Sequence, residues 1–172
     1  HGGAAMNDMV RNMREEDLAR VLEWRNHPDV RKFMYTQHEI TTQEHRSWFE
    51  NSQRNPARQL LIFESESVPL GFISINQTVP GHVADWGFYL APLAPRGIGH
   101  RLGVAALTFA FTTLGLHKVC GQALLFNERS IKFHLRLGFK CEGELRDQHY
   151  DGENYHSVMH FGLLNSEWQP PL

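Results

Sequence analysis

The sequence predicts a mixed α/β fold, and two observations carry this prediction. The first four predicted strands follow one another as a meander, and helices alternate with strands further along the chain. The 172 residues suit one domain with its own core, and no repeat, low-complexity segment or linker divides them. We therefore expect one domain over residues 6–168, and we interpret the preceding residues, HGGAA, as an expression scar.

Local signals define the elements of the N-terminal half. Acidic residues at 15–17 favour a helix N-terminus, and Pro28 ends that helix because the residue before a proline avoids the α region. A short second helix is expected at 29–34. Thr41 and Glu44 form a capping box, which predicts a third helix ending near residue 52. Four strands complete this half, at 10–13, 60–64, 70–77 and 85–91.

The rest of the chain is organised around the stretch from Asp85 to Leu114. It is expected to form a strand, a Pro/Gly turn at 92–99 and a long helix rich in small and apolar residues. A strand at 117–125 and a second helix follow, and strands at 139–145 and 155–163 close the fold as an antiparallel pair. We expect the last strand to be a pairing edge of the sheet, which would allow a homodimer.

The Pro/Gly turn is the first candidate binding site. A helix N-terminus leaves backbone N–H groups free, and Gly97 and Gly99 let an anion approach them because neither has a Cβ. Arg96 adds a permanent charge. A lone G-x-G is also compatible with an ordinary strand-to-helix turn. Leu102 stands where a dinucleotide fingerprint needs its third glycine, and no G-K-[ST] follows, so the turn predicts pyrophosphate binding of another kind.

Composition excludes several other classes. The formal net charge of −2 argues against a nucleic-acid-binding protein, which would normally be strongly basic. No apolar run approaches the roughly 20 residues that span a bilayer, so we expect a soluble cytoplasmic protein without a membrane partner. Cys120 and Cys141 are the only cysteines, which favours reduced thiols, and we see no set of ligands at metal spacing.

Taken together, these motifs resemble the GCN5-related N-acetyltransferase (GNAT) superfamily. The matching order is strand, G-x-G turn, long helix, strand, the N-x-x-S helix start at Asn127 to Ser130, and the pair Gly138-Phe139. The resemblance covers essentially the whole chain from Met6. It implies a central, mostly antiparallel seven-stranded sheet that splays between strands 4 and 5, about four flanking helices, and acetyl-CoA as the cofactor.

The resemblance also implies the residues that bind the cofactor. The thioester and the pantetheine arm would be lined by Phe88, Tyr89 and Leu90. The pyrophosphate would be bound by Arg96, Gly97, Ile98, Gly99, His100 and Arg101, and Asn127 and Ser130 would lie beside the cofactor. The chain departs from the family pattern [QR]-x-x-G-x-[GA], because the preferred register puts Ala94 at its leading position, and the other register puts Arg101 at its last.

A second resemblance concerns the acceptor. The run EWRNHPDVRKFMYTQHEIT and the tail EGELRDQHYDGENYHSV are similar to nucleotide-sugar N-acetyltransferases of pseudaminic acid biosynthesis. This implies acetylation of the 4-amino group of a UDP-linked amino-dideoxy sugar. The W-R-N-H-P-D-V opening is shared with acetyltransferases of ribosomal-protein N-termini. A protein N-terminus, an aminoglycoside and a non-catalytic CoA-binding module therefore remain as alternatives.

The expected chemistry is direct attack of a neutral amine on the thioester. A backbone N–H near Tyr89 or Leu90 would stabilise the developing oxyanion. His134 stands where many family members have a tyrosine that protonates the leaving thiolate, and it is expected either to take that role or to be a half-buried histidine bonded to a backbone carbonyl. Asp85 and His45 are the two candidates for the base. The expected acceptor contacts are Arg25 as the phosphate ligand, with His45, Asn76, Gln77 and Trp86 on the same pocket wall.

Overall fold

Seven strands form the centre of the fold in a computed structural model that describes residues 7–170. The strands are β1 (Asp8–Asn12), β2 (Arg58–Ser65), β3 (Val68–Val79), β4 (Val83–Leu90), β5 (Lys118–Leu124), β6 (Lys140–Tyr150) and β7 (Tyr155–Leu164). Met6 and the five residues before it lie outside the described residues.

Within residues 7–170, five α-helices flank the sheet, one more than the resemblance implies. They are α1 (Leu18–Asn26), α2 (Pro28–Arg31), α3 (Thr42–Gln53), α4 (Ile98–Thr108) and α5 (Glu128–Arg136). The acidic residues Glu15–Asp17 form a 3-10 turn before α1, and a π-helical turn at Phe109–Thr113 continues α4. No helix among residues 7–170 has both the length and the apolar character that a membrane span requires.

The sheet splays where the family resemblance predicts. Its strand order is β1-β2-β3-β4-β5-β7-β6, and β4 and β5 are the one parallel pair in this order. These two strands pair over only three positions, from Val83 with Lys118 to Asp85 with Cys120, whereas β3 and β4 stay paired as far as Leu90. Beyond Asp85 the two halves of the sheet therefore separate, which confirms the expected opening between strands 4 and 5.

The edge of the sheet is not the strand that the sequence predicts. We expected the last strand to be a free edge, but β7 lies between β5 and β6 and pairs with both. The free edge on this side is β6, and all of its residues except Gly143 and His149 are exposed. The prediction of a closing hairpin is confirmed, but β7 and not β6 is the strand that pairs with β5. A sequence pattern shows that two strands pair with each other without showing which of them also pairs with the rest of the sheet.

Two hydrophobic cores cover the two faces of the sheet. Residues such as Leu102 and Leu107 of α4 fill the first core, and α1 and α3 contribute Val21, Trp24 and Phe49 to the second. Side chains alternate between the two faces along β4. Trp86, Phe88 and Leu90 belong to the α4 core, and Tyr89 belongs to the α1 and α3 core, on the same face as Asp85 and Gly87. Each face of β4 therefore offers a separate wall at the opening.

Candidate active site

One cleft of about 1560 Å³ passes through the opening between β4 and β5. Its lining comes from the start of α4, from α5, from both faces of β4 and from the first three helices. At one end it includes Arg96, Gly97, Gly99 and His100, and at the other end Arg25 and His45. The cleft thus joins the predicted pyrophosphate turn to the predicted acceptor side through the gap in the sheet.

The N-terminus of α4 has the geometry of an anion site. Gly97 precedes the helix with φ of +91°, a conformation that glycine adopts without strain, and no atom lies within 4 Å of where its Cβ would be. The first helical bond runs from the Arg101 N–H to the Gly97 carbonyl at 3.4 Å. The N–H groups of Gly97, Gly99 and His100 have no acceptor among the described residues, so three donors at the positive end of the helix dipole are free.

Two residues predicted at the pyrophosphate have other roles. Ile98 is buried in the α4 core, and its N–H donates to the Pro95 carbonyl at 3.3 Å. Arg101 points away from the cleft: its guanidinium forms an ion pair with Asp8 of β1, its Nε lies 2.9 Å from Asp8 Oδ2, and it also contacts Ser65. In this structure the Arg101 side chain is therefore not directed at the predicted pyrophosphate turn. The side chain ties α4 to the first strand.

Helix α5 contributes a basic stripe to the cofactor side that the sequence analysis missed. Arg129, Lys132 and Arg136 lie three and four residues apart, which places them on one face of the helix, and all three line the cleft. That spacing was the signal that could have revealed them. Asn127 and Ser130 also line the cleft, and the Asn127 side chain caps α5 by accepting from the Ser130 N–H at 3.2 Å.

The free backbone donors at the gap belong to alternate residues of β4. The Ala91 N–H donates to the Leu70 carbonyl at 2.8 Å, and the register continues without a shift to Tyr89 opposite Phe72. Since hydrogen bonds in an antiparallel pair alternate, the Tyr89 N–H is directed at β3. The N–H groups of Phe88 and Leu90 are directed at the gap. Of the two oxyanion donors expected from the sequence, Leu90 has the required direction and Tyr89 does not.

His134 does not have the geometry of a general acid. It is only 1% exposed, its Nδ1 lies 2.8 Å from the Ser130 carbonyl, and its Nε2 lies 3.1 Å from the Trp86 indole Nε1. Because the indole can only donate, Nε2 accepts and Nδ1 carries the proton. Burial lowers the pKa of His134 to about 4. The one proton of the neutral ring is directed at the Ser130 carbonyl and not at the gap, which favours the alternative of a histidine bonded to a backbone carbonyl. The ring is fully buried and not half-buried as expected.

Two buried polar side chains line the acceptor end without full hydrogen bonding. Arg25 is 8% exposed, and one guanidinium nitrogen donates to the Thr36 carbonyl at 2.5 Å while Nη1 has no partner. His45 is 5% exposed, stacks on Trp48 at 4.9 Å, and leaves Nε2 without a partner. Burial and then the charge of Arg25 lower the pKa of His45. Unpaired polar atoms at this depth are costly.

The other predicted acceptor contacts are not on the wall that holds Arg25 and His45, although Trp86 lines the same cleft from the other face of the sheet. Trp86 belongs to the α4 core, on the opposite face of the sheet from Arg25 and His45, and its indole N–H is engaged by His134. Asn76 and Gln77 are at the end of β3 and do not line the cleft. Trp86 does not share a wall with Arg25 because neighbouring positions on a strand face opposite sides. Asn76 pairs with Asp85 and lies on its face of the sheet, but it and Gln77 lie outside the cleft.

The floor of the acceptor end comes from three neighbouring strands. It is lined by Ser74 of β3, Asp85 and Gly87 of β4, and Cys120 and Gln122 of β5. Asp85 is bonded by the Thr78 hydroxyl at 3.3 Å. The segment between α2 and α3 reaches across this floor, where the Tyr35 hydroxyl donates to Gln122 Oε1 at 3.0 Å. Only Asp85 was singled out from sequence; a glycine inside a strand was the available signal for Gly87.

Comparison with known sequences agrees with this geometry. The family model described as an acetyltransferase (GNAT) domain matches residues 9–140. The acetyltransferase PseH of Campylobacter jejuni is 26% identical over 140 residues, which cover 80% of this chain and 86% of that protein. The putative ribosomal N-acetyltransferase YdaF of Bacillus subtilis is 32% identical over 101 residues, covering 58% of this chain and 55% of that protein.

Solved structures show the same fold. A spermidine N-acetyltransferase from Vibrio cholerae, crystallised with CoA and spermine, superposes with a TM-score of 0.86. The match covers 93% of this chain and 96% of that chain at 19% sequence identity. At this identity the likeness extends to the arrangement of strands and helices, and the residues at the acceptor end must be judged on their own chemistry.

Proposed function

Because this chain belongs to the GNAT acetyltransferase family and is an acetyl-CoA-dependent N-acetyltransferase, we propose that its acceptor is an amino sugar linked to a nucleoside diphosphate. The more specific form of the proposal is the 4-amino group of a UDP-linked amino-dideoxy sugar. The resemblance to enzymes of pseudaminic acid biosynthesis supports it, and so does the similarity to PseH. We also propose a cytoplasmic location, where acetyl-CoA and nucleotide sugars are available together.

The cofactor end of the cleft fits acetyl-CoA. Three free N–H groups at the start of α4 suit the diphosphate, Arg96 adds charge, and the α5 stripe of Arg129, Lys132 and Arg136 suits a further phosphate. The cofactor supplies the acetyl group as a thioester. The Phe88 and Leu90 N–H groups face the gap, where they would stabilise negative charge on the thioester carbonyl oxygen.

The proposed acceptor rests mainly on the environment of Arg25. A buried guanidinium that has one carbonyl partner and one unpaired nitrogen is incompletely compensated. Leaving the N–H unpaired costs roughly 1–3 kcal/mol, and an oxyanion such as a phosphate oxygen would remove that cost and pair the charge. The same buried cation would repel a polyamine. Arg25 thus favours an acceptor that carries negative charge.

We propose that Asp85 or His45 takes the proton from the amine. Asp85 lies on the floor of the acceptor end, and His45 has a neutral ring whose Nε2 is free. Burial lowers the pKa of His45, which keeps its ring uncharged and able to accept at neutral pH. We assign the leaving thiolate no protein acid, since the one ring proton of His134 is engaged by the Ser130 carbonyl.

We propose a homodimer that forms through β6. This strand is the free edge, and its central residues read Glu144-Leu145-Arg146. An antiparallel pair around a two-fold axis at Leu145 would place Glu144 opposite Arg146 of the second copy, twice. Neither residue forms an ion pair within the described part of this chain, so both charges are available.

The test is acetyl transfer measured as thiol release. We expect the protein to release CoA with a UDP-4-amino-4,6-dideoxy sugar and to be far less active with spermidine, an N-terminal peptide of a ribosomal protein or an aminoglycoside. Replacing Arg25 with Met should raise the KM for the nucleotide sugar at least about 30-fold, because a buried charge pair is worth 2 kcal/mol or more. Arg25→Lys should recover part of this loss.

Arg31→Met is the matched control. Arg31 lies 3.9 Å from Glu39 and does not line the cleft, so its removal should leave the KM unchanged. The affinity for CoA should be the same in all three variants. The proposal is wrong if spermidine or the peptide is the better substrate, or if Arg25→Met acetylates the nucleotide sugar with the wild-type KM.

A further inference from the structure

Gly87 occupies a position where the fold itself does not require a glycine. It lies within β4, directly opposite Ser74 of β3 in an unbroken register. Its φ is not positive, so its backbone conformation is open to any residue. A Cβ built on Gly87 would meet only the Ser74 hydroxyl, at 3.4 Å, which is an ordinary contact. Glycine inside a strand nevertheless costs stability relative to alanine.

Two other strand glycines have packing reasons that Gly87 lacks: a Cβ on Gly71 would clash with Leu102, and one on Gly121 would clash with His134 and Trp86. A Cβ on Gly162 would meet the flexible ends of the Glu142 and Lys118 side chains, and Gly162 lies outside the cleft. Gly143 is at a register shift on the edge strand. Among the described strand glycines that line the cleft, Gly87 is therefore the one that neither backbone conformation, close packing nor a bulge accounts for.

The space above Gly87 opens into the acceptor end of the cleft. Asp85 and Tyr89 flank it along the strand, Ser74 lies across from it, and Gln122 stands on the facing strand β5. These neighbours offer a carboxylate, a hydroxyl and an amide around a flat stretch of bare backbone. Such a surface matches a saturated ring that bears hydroxyl and amino groups, with the ring against the backbone and its substituents on the polar side chains.

We propose that the ring that bears the acceptor amine packs against the backbone at Gly87, which we call the acceptor seat. We also propose that this position determines specificity for cyclic acceptors. The inference rests on the proposed function for the identity of the ring as a sugar. The absence of a side chain lets the ring approach the gap, where the amine meets the thioester, with Asp85 beside it. A single methyl group at this position would occupy the volume that the ring needs.

The test is Gly87→Ala, examined for stability and for the two substrates separately. We expect the melting temperature to stay the same or to rise by about 1–3 °C, because alanine restricts the unfolded chain. The affinity for CoA, measured by calorimetry, should be unchanged. The KM for the nucleotide sugar should rise about tenfold or more, since one methyl group against a fitted ligand has an effect of this size.

Two control glycines separate this role from a structural one. Gly71→Ala, which must displace Leu102, should lower the melting temperature by several degrees. Gly143→Ala has open space around its Cβ and lies outside the cleft, so it should change neither stability nor either substrate. A drop in the melting temperature of Gly87→Ala, or an unchanged acceptor KM, would overturn the inference.

Failure of the inference is distinguishable from failure of the proposed function. If wild-type protein does not acetylate a nucleotide-linked amino sugar, the proposed function fails, and Gly87→Ala is then measured with whichever amine wild-type protein acetylates. A flexible linear amine that loses nothing in the variant would contradict a ring-binding seat. If wild-type protein acetylates the nucleotide sugar and Gly87→Ala does so equally well, only the inference fails.

Discussion

His134 makes the stability of the folded state depend on pH, because its buried ring stays neutral well below the ordinary pKa of histidine. Burial lowers its pKa from 6.5 to about 4. Between these values the unfolded chain binds a proton that the folded chain does not bind. Protonation therefore favours unfolding, and the stability that the neutral ring provides is fully present above pH 6.5 and is lost as the pH falls towards 4.

We expect this contribution to disappear in His134→Gln. Glutamine offers an N–H donor for the Ser130 carbonyl and an oxygen acceptor for the Trp86 indole, but it does not titrate. Between pH 6.5 and 4 the free energy of unfolding of the wild-type protein should fall more steeply than that of the variant, by about 1.4 kcal/mol per pH unit. Urea unfolding at a series of pH values measures both slopes, and parallel slopes would contradict the assignment.

The same variant tests the catalytic role that the sequence suggested. Removal of a general acid typically costs 10²–10⁴ in rate, whereas a residue that only joins β4 to α5 should cost less. We expect the kcat of His134→Gln to fall by less than about tenfold and the shape of its pH profile to be unchanged. A large fall accompanied by loss of one limb of the profile would restore His134 as the acid.

At the scale of elements, the start of α4 carries two arginines with different roles. We expect Arg96 to bind the cofactor and Arg101 to stabilise the fold. Arg96 is exposed and lines the cleft beside the free N–H groups, whereas Arg101 is bonded to Asp8, which raises the pKa of the Arg101 guanidinium. We expect Arg96→Ala to weaken CoA binding about three- to tenfold, and more so at low salt. Arg101→Ala should leave CoA affinity unchanged and lower the melting temperature by about 2–4 °C.

Calorimetry with CoA and thermal melts of both variants check this division. Each variant is the control for the other, because the two side chains start from the same turn and carry the same charge. Equal losses of CoA affinity in both variants would show that Arg101 leaves Asp8 to bind the phosphates. In that case the original prediction for Arg101 would be correct for the bound protein.

Sequence reasoning succeeded where the cause is local. The capping box of Thr41 and Glu44 is present, with the Glu44 N–H 3.1 Å from the Thr41 hydroxyl oxygen, because both partners lie within one turn. The G-x-G turn likewise has its free donors, since the helix start alone creates them. The direction of Arg101 depends on Asp8, 93 residues away, and the state of His134 depends on Trp86, 48 residues away. No local pattern contains those partners.

On the scale of the whole molecule, the sheet is two half-sheets joined over a short length. The first half contains β1 to β4, the second contains β5, β7 and β6, and only three residue pairs of β4 and β5 connect their backbones. Side chains complete the connection, with the Trp86 to His134 bond on one face and the Tyr35 to Gln122 bond on the other. The gap between β4 and β5 follows from this incomplete closure, and so does the proposed acceptor seat at Gly87.

The proposed dimer can be tested at β6, the outer edge of the second half-sheet. Charge pairing of Glu144 with Arg146 of a second copy predicts that reversing one charge places like charges together. Wild-type protein should sediment as a dimer, and Glu144→Arg should shift it towards the monomer. The double variant with Glu144→Arg and Arg146→Glu restores opposite charges across the same axis, so it should recover the dimer. Sedimentation velocity at several protein concentrations measures all three.

Comparison of the single and double variants tests whether the dimer interface lies at β6. A loss of association in both the single and the double variants would mean that the substitutions disturb the hairpin itself, and near-ultraviolet circular dichroism would detect that change. A dimer that persists in Glu144→Arg would place the interface elsewhere on the molecule. Since β6 lies outside the cleft, CoA affinity should be the same for all three proteins, which separates assembly at this edge from cofactor binding at the gap.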